Sequence, residues 1–528
     1  METPVKYPLG IETFSEIREE GYLYVDKTRF ISRLLKGKYY FLSRPRRFGK
    51  SLFLSTLEAY FTGQRELFEG LDIAAVEKEW KCYPVLRLSL NGKKYMEAEH
   101  LVEHFNSYLE IWEATYCCSK RDRSPEERFA NVLRAAFEQT GERVVVLVDE
   151  YDLPLEDTLE KPDLQEAFRK QLKAFYGTMK PCDRYVKFAF LTGVTKFGHV
   201  GVFSDLNNIR DITLSPDYNS ICGATDEELE HYLLPHIEPL AQTNGLTVEE
   251  CAAQLRKDYD GYRFSSRKER VYNLFSVMSA IVEKNFGRYW FRTGTPTLLV
   301  KMLQSKDYRI ANLDGEVRTE RELLDVDTWR TDPIPMFFQS GYLTIKDYNE
   351  EFRSYSLGIP NEEVREGLYD WLLPIYALPP AERSEFRIQS FVMAVRNGDA
   401  EGFMKQMKSF FGSIPYDQVP KVGEKRAPDY EVHYQNLCLM LFHLMGLYVK
   451  TEMRTSSGRI DVLVETPRYV YIIELKVRGT AKKALRQIED KGYTIPYEAG
   501  DREVIRIGAI FSQRTRTLRD WKIEVQTK

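Results

Sequence analysis

Cysteine is scarce and unpatterned in this chain of 528 residues. There are seven, none spaced as CxxC, and only Cys117 and Cys118 are adjacent. An odd, scattered set argues against a disulfide framework and for reduced thiols in a cytosol. Long apolar runs are also lacking. The longest lies near Leu437–Tyr448 and is broken by His443, short of the ~20 residues that a bilayer requires. The opening stretch METPVKYPLGIETF has no apolar signal core. The expectation is a cytoplasmic protein with no membrane partner. Internal repeats and low-complexity tracts are absent. A net charge of −4 gives no global attraction to nucleic acid, so any such attraction must be local.

What is present suits ordinary soluble cores, with 43% hydrophobic and 29% charged residues. The length suggests about three domains at roughly 100–200 residues each. The first 43 residues read as a lead-in ending in a strand, Tyr39-Tyr40-Phe41-Leu42. Apolar spacing in SLFLSTLEAY predicts a helix from Lys50 onward. A strand over 83–90 and helices near 94–117 and 125–140 precede RVVVLVDEYDLP, an unbroken apolar run closed by acids. A helix at about 163–179 leads to VKFAFLTGVTKF, a second buried strand. This order implies an α/β fold with a parallel, crossover-wound sheet over residues 1–225. Residues 226–330 read as a helical, winged-helix-like middle module, with a small hairpin in YDGYRFSSRKERVYNLF. Residues 331–424 read as a helical connection with short strands. A final α/β unit is expected over 425–528.

The stretch RPRRFGKSL (Arg44–Leu52) follows the first strand and ends like a phosphate-binding loop. Phosphates need backbone N–H groups, a helix N-terminus and a cation within reach. Gly49 with Lys50 and Ser51 supplies them, the lysine for the phosphates and the serine hydroxyl for Mg²⁺. A partner element should be an apolar strand ending in acids. Val144–Glu150 is that element, with Asp149 expected near the metal and Glu150 expected to polarise a water. Arg44 stands where the pattern has its first glycine, which implies a turn without positive φ there. Arg44, Arg46 and Arg47 are expected to add charge beside the phosphates or to serve a partner.

A second constellation lies in GRIDVLVETPRYVYIIELKV. Two apolar strands flank a turn at Pro467. Glu474 and Lys476 are two apart and share a face. An even-numbered loop places Asp461 directly opposite Glu474, and a one-residue slip separates them. Two carboxylates and an ammonium at one point suit a divalent metal and phosphodiester hydrolysis. From Lys476 to Lys528 there are thirteen Lys/Arg against seven Asp/Glu, and RTRTLRDWK adds Trp521. Such an excess suits a phosphate backbone or an ordinary charged surface. One further motif, His100-Leu101-Val102-Glu103-His104, matches an inverted metalloprotease pattern but has no third ligand. His199 is expected to be packed or hydrogen-bonded.

These stretches, with YPLGIETFSEIREEGYLYVDKT and FLTGVTKFGHVGVFSDLNNIRDITL, resemble the predicted AAA-type ATPases common in gut bacteria. In that family a PD-(D/E)XK nuclease-like domain follows. The resemblance covers nearly the whole chain, and the arginine-rich loop is the family's own form of the motif. It implies ATP and Mg²⁺ as cofactors and a nucleic acid, DNA foremost, as partner. It also allows a homo-oligomer in which a neighbouring copy completes the site. By similarity, Thr192 or Thr195 would sense the γ-phosphate and Arg210 would be a second sensor. Glu431 would be the extra acid of the nuclease-like site, while Gln487 and Tyr493 would be its accessory residues. Ile460 stands where the pattern has proline. Two readings stay open: a nuclease driven by ATP, or a nucleotide-dependent switch that grips nucleic acid without cutting.

Overall fold

The computed structural model describes residues 5–118, 123–197, 208–293, 313, 315–324, 332–377, 388–412, 430–446, 450–456, 459–476, 479–497, 500–512 and 517–526. The chain forms two compact units, residues 1–294 with 314–363 and residues 295–313 with 364–528.

The first unit is built on strands β1 (Tyr39–Ser43), β2 (Val85–Ser89), β3 (Val144–Asp149), β4 (Val186–Gly193) and β5 (Arg210–Asp211). Their order is β2-β3-β4-β1-β5, and every pairing is parallel. All six residues of β3 are buried, which is why its sequence is apolar without alternation. Helix α1 (Lys50–Phe61) leaves the loop after β1, and its Phe53 meets Phe190 of β4 at 5.9 Å. Helices Glu99–Thr115, Pro125–Thr140 and Pro162–Gly177 share an aromatic stack. In it, Phe175 lies 4.0 Å from Phe105 and 4.6 Å from Phe129. Pro125 opens its helix, and Gly141, at φ 72°, closes it.

Strand β4 lies between β1 and β3. Leu42 pairs with Thr192 on one side, and Val148 pairs with Leu191 on the other. The loop after β1 and the acids after β3 therefore flank one strand end.

Helices Asp226–Tyr232 and Val248–Tyr259 each start with a capping box, Thr225 with Glu228 and Thr247 with Glu250. Their core of Leu229, Leu233, Leu255 and Val277 also takes in Val25, so these helices belong to the first unit. The hairpin expected after Tyr259 is reduced to single bridges, Tyr262 with Val271 and Ala224 with Tyr272. Within this loop the Arg263 guanidinium donates to the carbonyls of Ser265 and Ser266. Strands β6 (Val317–Thr319), β7 (Thr344–Asn349) and β8 (Ser354–Gly358) make a small antiparallel sheet in the order β6-β8-β7.

The second unit contains helices Ile388–Arg396, Ala400–Gly412, α2 (Tyr430–Met445) and α3 (Ala481–Asp490). Its sheet has β9 (Lys450–Ser456), β10 (Arg459–Glu465), β11 (Tyr469–Lys476), β12 (Glu503–Ser512) and β13 (Thr517–Gln526), ordered β13-β12-β11-β10-β9. Only β11 and β12 are parallel, and α3 is the crossover that such a pair requires. Gly508 of β12 lets α3 come close. A Cβ there would lie 2.5 Å from both the Ala481 oxygen and the Leu485 nitrogen. Among the described residues, no helix is long and apolar enough to cross a membrane.

Candidate functional site

The loop after β1 lines a cavity of about 370 Å³. Arg46, Arg47, Gly49, Lys50 and Ser51 form one wall, and Glu150 faces them from the end of β3. Gly49 takes φ 92° and caps α1, so the positive end of a twelve-residue helix meets the cavity. Lys50 is buried and donates to the carbonyls of Arg44 (2.9 Å) and Pro45 (3.0 Å). The remaining lining is mostly apolar: Pro8, Leu9 and Ile11 from the N-terminal segment, with Leu274, Phe275 and Met278 from helix Leu274–Glu283. Sequence reading gave no role to either segment. A lining of loop N–H groups and cations together with apolar side chains fits a nucleoside triphosphate.

The acids behind this cavity are ordered by hydrogen bonds. Asp149 is buried, and its Oδ1 accepts from Thr192 Oγ1 at 2.7 Å and from the Glu150 N–H at 3.1 Å. Glu150 takes φ 51°, a costly conformation that persists only where neighbours impose it. Burial, then the charge of Asp149, raises its carboxyl above the ordinary range. Thr195 does not join Asp149. It donates to Asp152 Oδ2 at 2.8 Å, which also accepts the N–H groups of Val194 and Thr195. Asp152 and Glu156 were missed from sequence, although Asp152 is the third acid of VDEYD. Burial pushes Glu156 up to about 8, and its Oε2 holds the Arg46 guanidinium at 3.0 Å.

The three arginines part company. Arg44 does not line the cavity and is fully buried beneath the loop. Its Nη1 donates to the carbonyls of Ser43 and Thr213 and its Nη2 to that of Tyr218, and the guanidinium stacks 4.3 Å from the Phe264 ring. Those oxygens would otherwise be desolvated acceptors, so Arg44 secures the loop base that glycine would have left open. Positive φ occurs instead at Arg47, at 62°. Its guanidinium lies over Phe275 at 5.0 Å. Arg210 is exposed on β5, over the Tyr218 ring at 5.8 Å, and does not line the cavity.

In the second unit Glu465 pairs with Val470, which leaves four residues between the last paired positions of β10 and β11, so the register sets Asp461 directly opposite Glu474. Glu474 is 1% exposed, and its Oε1 is 3.7 Å from the Lys476 ammonium. Lys476 donates to Oε1 of Gln487 on α3. Gly508 pairs with Glu474 from the other side, so the close approach of α3 occurs at this level of the sheet. The side chains of Asp461 and of Glu431, on α2, lie outside the described residues. Tyr493 falls beyond the end of α3, and its ring packs on the cluster of Ile472, Leu485 and Ile488.

The remaining sequence candidates are occupied locally. His104 Nε2 bonds the Ser89 carbonyl at 2.8 Å and His100 Nδ1 the Lys94 carbonyl at 3.0 Å, which leaves HxxEH as ordinary helix anchoring. His199 lies outside the described residues. The Trp521 indole donates to Glu401 Oε2 at 3.0 Å, so this ring is taken up by helix Ala400–Gly412.

Comparison with known proteins agrees with this division. Residues 8–203 match the model of the predicted AAA-ATPase family, and residues 429–521 match that of the PD-(D/E)XK nuclease superfamily. The chain is similar to an "Uncharacterized protein in vnfD 5'region" of Azotobacter chroococcum mcd 1. The two are 37% identical over 528 residues, which covers 98% of this chain and 99% of that protein.

Proposed function

Because this chain belongs to the predicted AAA-ATPase family and carries a PD-(D/E)XK nuclease-superfamily domain, we propose that it binds and hydrolyses ATP in its first unit and cleaves nucleic acid, DNA foremost, in its second. One observation carries the first half. Lys50, Ser51 and Glu150 line a single cavity although a whole strand, β4, separates their strands in the sheet. The loop N–H groups and Lys50 hold the triphosphate, and the apolar segments at Pro8–Glu12 and Leu274–Met278 take the nucleoside. Ser51 and Asp149 would hold Mg²⁺, with Asp149 oriented by Thr192. Bound there, the ion supplies charge neutralisation on the triphosphate. Glu150, whose carboxyl is raised by burial and by the charge of Asp149, orients the attacking water.

The pairing of Asp461 with Glu474, and the Lys476–Gln487 bond, support the second half. Asp461, Glu474 and Glu431 would hold a divalent cation, which supplies a hydroxide and Lewis-acid polarisation of the phosphate. Lys476, fixed by Gln487, stabilises the developing negative charge. Incubation of single- and double-stranded DNA with Mg²⁺, with and without ATP, tests the proposal. Wild type cuts, Glu474→Gln and Asp461→Ala do not, and both variants keep ATP turnover. Equal behaviour of wild type and both variants on every substrate removes the cleavage half, and ATP turnover that survives in Lys50→Ala removes the other.

A further inference from the structure

Two neighbouring residues of the phosphate loop are tied into the surrounding wall, and both ties end on one carboxyl group. The first runs through Trp290. Its indole Nε1–H donates to the Arg46 carbonyl at 3.0 Å, and its main-chain N–H donates to Glu363 Oε1 at 2.7 Å. The second runs through helix Leu274–Glu283. The Arg47 guanidinium lies over Phe275, and the next residue, Ser276, donates its hydroxyl to the same Glu363 oxygen at 3.1 Å. Glu363 is 3% exposed and Trp290 5%, and neither lines the cavity.

Packing reinforces the bonds. The Trp290 ring meets Tyr342 at 5.2 Å. At Gly341 a Cβ would come within 2.7 Å of Pro45 and 3.2 Å of the Trp290 ring, so backbone is pressed against both the loop and its clamp. Between the tied points stands Arg47, with φ 62°. A non-glycine residue holds that conformation only when its surroundings over-determine it. The shape of the Arg46–Arg47 turn is thus imposed from outside the loop.

We propose that Trp290 and Glu363 are positioning residues for the nucleotide: they hold the Arg46–Arg47 turn in the shape that presents the loop N–H groups to a triphosphate, without touching it. The proposal rests on the ATP reading above. It is tested in the full-length chain by titrating MgATP and measuring turnover, alongside melting of the nucleotide-free protein. Trp290→Phe removes the indole N–H together with part of the ring. It is expected to raise Kd and KM for ATP about five- to tenfold, the usual worth of one hydrogen bond, with kcat nearly unchanged and the melting temperature lowered by the smaller ring. Glu363→Gln retains an acceptor oxygen and should bind ATP like wild type, whereas Glu363→Ala should weaken it as Trp290→Phe does.

Unchanged ATP affinity in Trp290→Phe overturns the proposal while leaving the ATP reading intact. So does a loss in which affinity falls only with melting temperature and Glu363→Gln fares no better than Glu363→Ala. If wild type itself fails to bind MgATP, both readings fall together.

Discussion

Thr192 donates its hydroxyl to Asp149 Oδ1 at 2.7 Å, which locks the ends of β4 and β3 side by side behind the phosphate loop. The bond joins a threonine and a carboxylate that are 0% and 4% exposed, so water cannot substitute for either partner. Thr192→Val keeps the shape and removes the donor. A bond to a charged group is worth about 1.5–3 kcal/mol, so ATP turnover should fall roughly tenfold to a hundredfold. Nucleotide affinity should stay within about threefold, because Lys50 and the loop are untouched. Steady-state kinetics and equilibrium titration together check this.

Glu150→Gln should bind ATP normally and turn it over about 10² to 10³ times more slowly, as expected when a water-orienting carboxylate is lost. The wild-type pH profile carries a sharper signature. Burial and Asp149 raise the Glu150 pKa, and the working form is the carboxylate. Turnover should therefore fall on acidification, with its midpoint above the ordinary carboxylate value of 4.5. A midpoint at or below that value removes Glu150 from this role.

The buried acids also set the direction of stability with pH. Burial raises Glu363 to about 8, and Asp152 and Glu156 shift the same way. Between the unfolded value and about 8 the folded state binds more protons than the unfolded one. The stabilisation is thus full below the unfolded value and is lost as pH rises through the folded one. Melting of the transition that belongs to the first unit should move to lower temperature from pH 5 to pH 9. In Glu363→Gln that slope should be shallower. A slope of opposite sign, or one unaltered in the variant, contradicts the assignment.

Gly508→Ala tests the close approach of α3. Its methyl group would meet helix backbone at 2.5 Å, which cannot rotate away as a side chain can. The overpacking should cost about 1–3 kcal/mol and draw Gln487 away from Lys476. Hydrogen exchange checks it: protection across residues 481–490 should fall while that of residues 50–61 is retained.

Much of this was legible in short stretches. The loop Gly49-Lys50-Ser51, the acids closing β3 and the run of β4 each declare themselves within about a dozen residues, because burial on both faces writes a continuous apolar segment. The pairing of Asp461 with Glu474 was legible up to one unknown, the parity of the turn, which the structure settles with four residues between the paired Glu465 and Val470. Trp290 and Glu363 were not legible. Trp290 meets Arg46 across 244 positions of chain, and Glu363 meets Trp290 across 73, so no local pattern announces either. Arg44 misled for a different reason. A cationic residue in a phosphate loop suggests an anion, whereas its nearest needs were three backbone oxygens. The β6–β8 sheet was obscured because its strands are short, three to six residues each.

The seat of Arg44 has a kinetic corollary. With its guanidinium sealed beneath the turn, the segment is set during folding rather than moulded on arrival of a guest. Little backbone freedom then remains to be surrendered at encounter. Association with a polyanion should approach the pace of diffusion, and discrimination among guests should appear in how slowly each departs.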